Sequence, residues 1–258
     1  MRLDKFLAES SIGTRKAVRS FIIDGKVTVN NKIILEPAAE IDENTDNIRY
    51  LGEAVIHTGR VYYMLHKPGG CVTARVDAVE TTVLDYFEPD CRKGLFPVGR
   101  LDKDTEGLII LTNDGELNHR LMHPDKHVEK TYFFWAFGTL DSKARECLEE
   151  GVVIGKEESV AKALKLQVEM AGAYEEYKEI MNLANVLSIK KKDNSQPVAA
   201  GYITISEGRK HQVKRMLKAI GCYVVYLKRV SIGALSLDEN LRKGQYRALT
   251  MDELRLLQ

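Results

Sequence analysis

The sequence predicts an α+β fold in two parts, and three observations carry that reading. The first 48 residues hold two short amphipathic helical patterns followed by an alternating, hairpin-like stretch. From residue 61 onward, apolar runs of strand length recur at 61–65, 108–112, 129–137, 202–206 and 224–227, with shorter helical patterns between them. The 258 residues are 44% hydrophobic and 29% charged, an ordinary globular balance with enough apolar material for a sizeable core.

In the first part, Leu3, Phe6 and Leu7 share one side of a helix. Thr14 caps a second helix, in which Ala17, Val18, Phe21 and Ile22 form the apolar stripe and Arg15, Lys16 and Arg19 the opposite side. Asp24-Gly25 ends it. KVTVN at 26–30 alternates as a strand, Asn31-Lys32 reads as the turn, and Ile33, Ile34 and Leu35 return. Residues 1–32 carry seven basic side chains against three acids, and 33–60 carry two against six, so a net charge of +1 hides a basic face. Gly52 and Gly59 flank a stretch without pattern, which places a linker at 53–59 and divides the chain into 1–58 and 59–258.

In the second part, the strand at 61–65 leaves through HKPGG, a sharp exit, and TTVLDYF at 81–87 reads as a short helix. LIILT at 108–112 is a buried strand closed by Asn113-Asp114-Gly115. Leu117, Leu121 and Met122 mark a helix ending near Pro124. His119, His123 and His127 are spaced four apart, but Pro124 separates the second from the third and no further ligands complete a set, so no metal is expected. A helix is expected over 141–151, with Ala144, Cys147 and Leu148 inward, then strands at 152–154 and 163–170. Residues 171–200 fit least and read as an insertion, a variable loop with one exposed helix or strand pair and a basic knot at 190–192. After the strand at 202–206, Val213, Met216, Leu217 and Ile220 form a buried helical stripe, with Lys210, Lys214 and Lys218 on another face. Cys71, Cys91, Cys147 and Cys222 form no C-x-x-C pair and read as reduced thiols. The N-terminus lacks the apolar core of a signal peptide and no eighteen apolar residues run together, so a soluble cytoplasmic protein is expected.

The stretch best suited to chemistry is GRLDKDTEGL at 99–108. Asp102 directly follows an arginine and a leucine, and Gly99 and Gly107 bracket it. It sits on a loop between two apolar runs, LFPV and LIILT, where reacting groups are often carried. Alone, such an aspartate is ordinarily a turn residue. However, GRLD followed by x-x-T-x-G-L and then LTNDG resembles the active-site motif of the pseudouridine synthases that act on ribosomal RNA. The resemblance continues through Y-x-M-L-x-K-P-x-G at 62–70, K-x-Y at 130–132 and E-G-R-x-H-Q-V-K-R-M at 207–216. The last has the form found in the small-subunit (16S) rRNA enzymes, the RsuA family. At the N-terminus, L-D-K-F-L, T-R-K-A and I-x-D-G-K-V-x-V-N occur in that order over roughly residues 1–48 and resemble the S4 RNA-binding domain. Nearly the whole chain is covered except 171–200.

The resemblance implies a small S4 domain joined to a catalytic domain built on a mixed, mainly antiparallel sheet with flanking helices. It makes Asp102 the catalytic residue and Tyr132 the ring that stacks on the target uracil. Lys214 takes the place of the basic residue that pairs with the aspartate, with Arg209 as second candidate. Arg100 fills the position vacated by the extruded base or grips a phosphate. The reaction moves C1′ of ribose from N1 to C5 of the same uracil, so no cofactor, metal or second substrate is expected. Arg2, Lys5, Arg15, Lys16, Arg19, Lys26, Lys67, Lys210 and Arg215 are the expected RNA contacts, mainly to phosphates. The implied substrate is uridine 516 of 16S rRNA, in free rRNA or a pre-ribosomal particle, and the enzyme is expected to act as a monomer. The alternatives are a large-subunit rRNA target or a non-catalytic S4 ribosome factor. The latter leaves GRLD, K-x-Y and the third motif without a role. An S4-bearing methyltransferase requires a glycine-rich nucleotide loop, for which Gly69-Gly70 is too short a match.

Overall fold

The computed structural model describes residues 1–10, 12–55, 59–155, 159–183 and 195–257. In the N-terminal unit, α1 (Leu3–Glu9) and α2 (Arg15–Ile23) bury Leu3, Phe6, Leu7, Val18 and Ile22 together with Val27, Ile41 and Ile48. The Thr14 hydroxyl accepts the Ala17 N–H at 3.2 Å, a cap worth about 1 kcal/mol. The strands β1 (Val27–Val29), β2 (Lys32–Ile33), β3 (Ile48–Tyr50) and β4 (Glu53–Ala54) follow, in the sheet order β2-β1-β3-β4. Asn30 and Asn31 take φ of 50° and 65°, the left-handed pair of a tight hairpin, so the turn lies one residue earlier than expected and Lys32 opens β2. The stretch expected as linker begins as strand, with Glu53 opposite Tyr50; residues 56–58 lie outside the described residues.

The second unit contains β5 (Tyr62–Lys67), β6 (Phe96–Pro97), β7 (Glu106–Thr112), α3 (Gly115–Met122), β8 (Lys130–Phe137), α4 (Ser142–Glu150), β9 (Val152–Ile154) and β10 (Ser159–Ala161). It continues with β11 (Lys165–Ala173), α5 (Tyr174–Leu183), β12 (Pro197–Ile205), α6 (Gln212–Ala219), β13 (Tyr223–Ile232), β14 (Leu235–Ser236), β15 (Tyr246–Ala248) and α7 (Met251–Arg255). The main sheet runs β11-β12-β8-β13-β7-β5-β15, with β6 added on β7 and β14 on β13; β9 and β10 form a separate hairpin. Among the described residues its pairings are antiparallel except that of β13 with β7. This is the mixed, mainly antiparallel sheet expected.

All seven residues of β7 are buried, because both faces of the sheet are covered there. Leu108 and Ile110 pack with Met64 on one face, and Ile109 and Leu111 with Leu65, Phe134 and Leu227 on the other. Gly107 stands opposite Arg229 in the one parallel pairing, at φ 106°. A Cβ there would lie 2.2 Å from the Arg229 carbonyl oxygen, so only glycine admits this strand contact. At the other end of β7, Asp114 caps α3 by accepting from the N–H groups of Glu116 and Leu117. Asn113 ties the strand to the chain leading into β5, through Val61 N–H and the Gly59 carbonyl.

Two expectations need correction. Residues 171–200 are not a variable loop throughout: 171–173 complete β11, and 197–200 open β12, which lies between β11 and β8 in the sheet interior. The small residues there, Ala171, Gly172, Ala199 and Ala200, blur the hydrophobic alternation that would mark strands. Between them α5 places Met181 against Trp135 and Phe137; the basic knot at 190–192 lies outside the described residues. The helix expected at 81–87 is a single 3-10 turn, Val83–Tyr86, closed by a reciprocal Thr82–Asp85 cap.

Candidate active site

The loop 99–105 links β6 to β7 and is held from three sides. Lys67, at the end of β5, is fully buried, and its Nζ donates to the carbonyls of Pro68 at 3.0 Å, Lys103 at 3.2 Å and Thr105 at 2.8 Å. Thr73 brackets Leu101, its Oγ1 accepting the Leu101 N–H at 3.1 Å and donating to the Leu101 carbonyl at 2.8 Å. Gly70 N–H donates to the Lys103 carbonyl, and Lys103 Nζ meets Glu80 at 2.6 Å. Lys67 was expected to touch RNA. That expectation is corrected: its ammonium is sealed beneath the loop, and burial pushes its pKa down despite the nearby acids. Gly99 suits its place as well, since its φ of 70° lies in the left-handed region that favours glycine and a Cβ there, 2.3 Å from Met122 Sδ, would force that side chain to move.

Asp102 emerges from this braced loop with about a quarter of its side chain exposed. Lys214 Nζ lies 3.6 Å from its Oδ2, and His211 Nε2 lies 3.5 Å from its Oδ1. Both partners come from the start of α6, whose buried residues Val213, Met216 and Leu217 follow the predicted stripe. Lys214 also donates to Asp104 Oδ1 at 2.5 Å. Burial pushes the Asp104 carboxyl up, but the hydrogen bond and charge of Lys214 outweigh it and hold the pKa below its ordinary value. Arg209, the second candidate for the pairing role, is turned to Glu207 at 2.8 Å instead. Gln212 locks that arrangement, donating to Glu207 and accepting the Arg209 N–H, each at 2.9 Å.

Around Asp102 lies a small open cleft lined by Leu101, Thr105, Tyr132, Ile205, Val213 and Leu227, with Arg100, Arg209 and His211 also at its wall. Tyr132 is 8% exposed, and β8 presents it on the same face as Phe134. Arg100 is exposed. The structure thus gathers Asp102, Arg100, Tyr132, Lys214 and Arg209 around one opening.

The expected RNA contacts divide. Lys16 and Arg19 are exposed on α2. Arg2 grips the buried Asp4 through two hydrogen bonds, with Arg15 3.8 Å from the same carboxylate. Lys26 pairs with Asp24 and lies over the Phe21 ring. Lys5 reaches the other unit, with Nζ 2.6 Å from Glu116, a carboxylate it shares with Arg60. Lys210 is exposed, and Arg215 bonds back to the Lys210 carbonyl at 3.3 Å. The three-histidine ladder is broken as expected. α3 ends at Met122, and His127 takes a left-handed conformation.

Sequence reasoning missed two groups. His211 lies inside a quoted motif but received no role. Its φ of 53° is strained for a non-glycine residue, a condition that recurs at functional sites. Arg229 is 1% exposed, stands opposite Tyr132 and donates from Nε to the Leu108 carbonyl. An arginine in a strand pattern carries no signal that it points inward.

Comparison with known proteins adds the family level. A family profile described as RNA pseudouridylate synthase matches residues 61–219, and the S4 domain profile matches residues 1–46. The uncharacterized RNA pseudouridine synthase YtzG of Bacillus subtilis is 41% identical to this chain, over 100% of it and 98% of that protein. The ribosomal small subunit pseudouridine synthase A of Haemophilus influenzae is 36% identical over 100% and 99%. The ribosomal large subunit pseudouridine synthase B of Bacillus subtilis is 34% identical over 99% and 95%. A crystal structure of a pseudouridylate synthase, 33% identical, matches with a TM-score of 0.64 over 100% of this chain and 99% of that one.

Proposed function

The chain belongs to the RNA pseudouridylate synthase family, as an S4-bearing rRNA enzyme, and on that premise we propose that it converts uridine 516 of 16S rRNA to pseudouridine. The observation that carries the assignment of chemistry is the position of Asp102, a single carboxylate held by a braced loop in a cleft, with Lys214 and His211 within 4 Å. One carboxylate suits an isomerisation. The N1–C1′ bond breaks, a C5–C1′ bond forms, one proton leaves C5 and one arrives at N1. Nothing else enters or leaves, so the proposed reaction consumes no cofactor. Glycoside hydrolysis, by contrast, uses a pair of carboxylates and a water.

Each side chain then has a task. Asp102 acts at the reacting nucleotide, Lys214 orients it and balances its charge, and His211 orients it from its other oxygen. The Tyr132 ring offers a stacking face to a base that has left its helix, an extrusion costing a few kcal/mol. Ile205, Val213 and Leu227 keep water from the detached base. Arg100, exposed beside the cleft, takes the vacated place in the RNA or a flanking phosphate. Residues 1–58 add phosphate affinity through Lys16 and Arg19 of α2, and 59–258 carry the chemistry. The enzyme works as a monomer in the cytoplasm, on rRNA or a pre-ribosomal particle.

The small-subunit target is supported by full-length relatives named for it, at 33–36% identity, and by the H-Q-V-K sequence at 211–214. The 34% relative named for the large subunit makes 23S rRNA the competing target. Tritiated 16S and 23S transcripts, incubated with the protein in parallel and mapped by chemical block to reverse transcription, decide between them. A new stop at uridine 516 is expected. Modification of 23S alone overturns the target, and no tritium release from either RNA or from ribosomal particles overturns the activity.

A further inference from the structure

Among the described residues that line the cleft, one buried polar side-chain atom has no partner in the protein. Thr105 is 1% exposed and lines the cleft beside Asp102. Its backbone is fully engaged, the N–H donating to the Asp102 carbonyl at 3.1 Å and the carbonyl accepting from Lys67 at 2.8 Å. Its hydroxyl is buried with no hydrogen-bond partner, alone in this among the described residues that line the cleft. Of the cleft's other polar side chains, Gln212 and Arg209 are held by Glu207, and Asp102 by Lys214 and His211, while the Arg100 guanidinium is exposed. A buried hydroxyl without a partner costs stability, so its presence at a site calls for a physical reason.

The walls around it suggest that reason. Ile205, Val213, Leu227 and the Tyr132 ring are flat or apolar surfaces, suited to the faces of a planar base but unable to satisfy its edge. We infer that Thr105 Oγ1 is a hydrogen-bond contact to the uracil edge of the extruded nucleotide, a specific role that rests on the function proposed above. The hydroxyl donates to a ring carbonyl. Uracil turned over about its N3–C6 axis exchanges N1 with C5 and also C2=O with C4=O. A donor facing one carbonyl before the glycosidic bond breaks therefore faces the other once C5 has replaced N1. The same hydroxyl can hold the base in both orientations, and its free rotation tolerates the small displacement between them.

Thr105→Val tests this because it preserves shape and removes only the hydroxyl. Single-turnover rate is measured on whichever rRNA the wild-type enzyme modifies, so a large-subunit target leaves the test intact. The variant is expected to lose roughly three- to tenfold in rate, with no fall in thermal midpoint, since an unsatisfied buried group has been removed. Thr105→Ser, which keeps the oxygen, should restore most of the rate. A wild-type rate in Thr105→Val overturns the inference. So does a fall in thermal midpoint accompanying the loss of activity, which would make Thr105 a structural residue of the loop.

Discussion

Lys214 stands 2.5 Å from Asp104 and 3.6 Å from Asp102, so two carboxylates two residues apart compete for one ammonium. The closer partner is three-quarters exposed, where solvent screens the pair and leaves it little weight in stability. The contest bears on catalysis. Asp104→Asn is expected to release Lys214 toward Asp102 and to maintain or raise single-turnover rate. Lys214→Met should lower that rate strongly at unchanged RNA affinity, and Lys214→Arg should retain more of it. If Lys214→Met instead weakens RNA binding and leaves the bound rate intact, Lys214 is a phosphate contact.

Asp102→Asn keeps the volume of the side chain and removes its charge. Pseudouridine formation should vanish, while the thermal midpoint and RNA affinity stay near wild type. Turnover at even a few per cent of wild type, with deamidation excluded by mass spectrometry, would remove Asp102 from the chemistry.

The basic residues of the N-terminal unit should divide in salt titrations. Lys16 and Arg19 are exposed, so replacing either with glutamine should reduce the slope of log affinity against log salt by about 0.7 to 0.9. Lys5→Gln should leave the slope unchanged, because that cation is held by Glu116. A slope change in Lys5→Gln equal to that in Lys16→Gln would show that the Glu116 pair opens on RNA.

Lys130 supplies a pH signature. Burial, with Arg229 adding repulsion, pushes its ammonium down to about 8 from an ordinary 10.5. Between those values the unfolded chain binds more protons than the folded one, so this residue makes stability rise with pH across that window. Below it, the folded protein carries the full cost of the buried charge. Lys130→Met should remove that rise and increase stability at pH 7, by up to about 3 kcal/mol. Urea unfolding of both proteins from pH 7 to 10.5 checks it; parallel curves would refute the assignment.

Legibility varied with the kind of signal. Strand β7 was plain because both of its faces are buried and its run is unbroken, and α6 was plain because Val213, Met216 and Leu217 keep helical spacing. The candidate site residues Asp102, Tyr132 and Lys214 were legible through motif order, not through periodicity. Lys67 was misread because a lysine beside a glycine turn looks solvent-facing. Nothing local reveals that three carbonyls from distant positions converge on it. The joining of β11 and β12 was hidden for a related reason. Alanine and glycine strands declare themselves only by the partner that covers them, as Ala199 does between Ala171 and Ala136.

The position of β13 has a consequence for how the molecule comes into being. It lies between β8 and β7 in the sheet although it follows both by about a hundred residues in the chain. Until it has been synthesised, the strands made before it can form only two separate half-sheets, β11-β12-β8 and β6-β7-β5, each with a bare edge of unpaired amides where β13 will lie. Insertion of this one strand joins them and, through Arg229 against Gly107, docks the half bearing Tyr132 beside the half bearing Asp102. A ribosome that stops before residue 223 therefore releases a chain with every side chain proposed for the chemistry and without the cleft that gathers them.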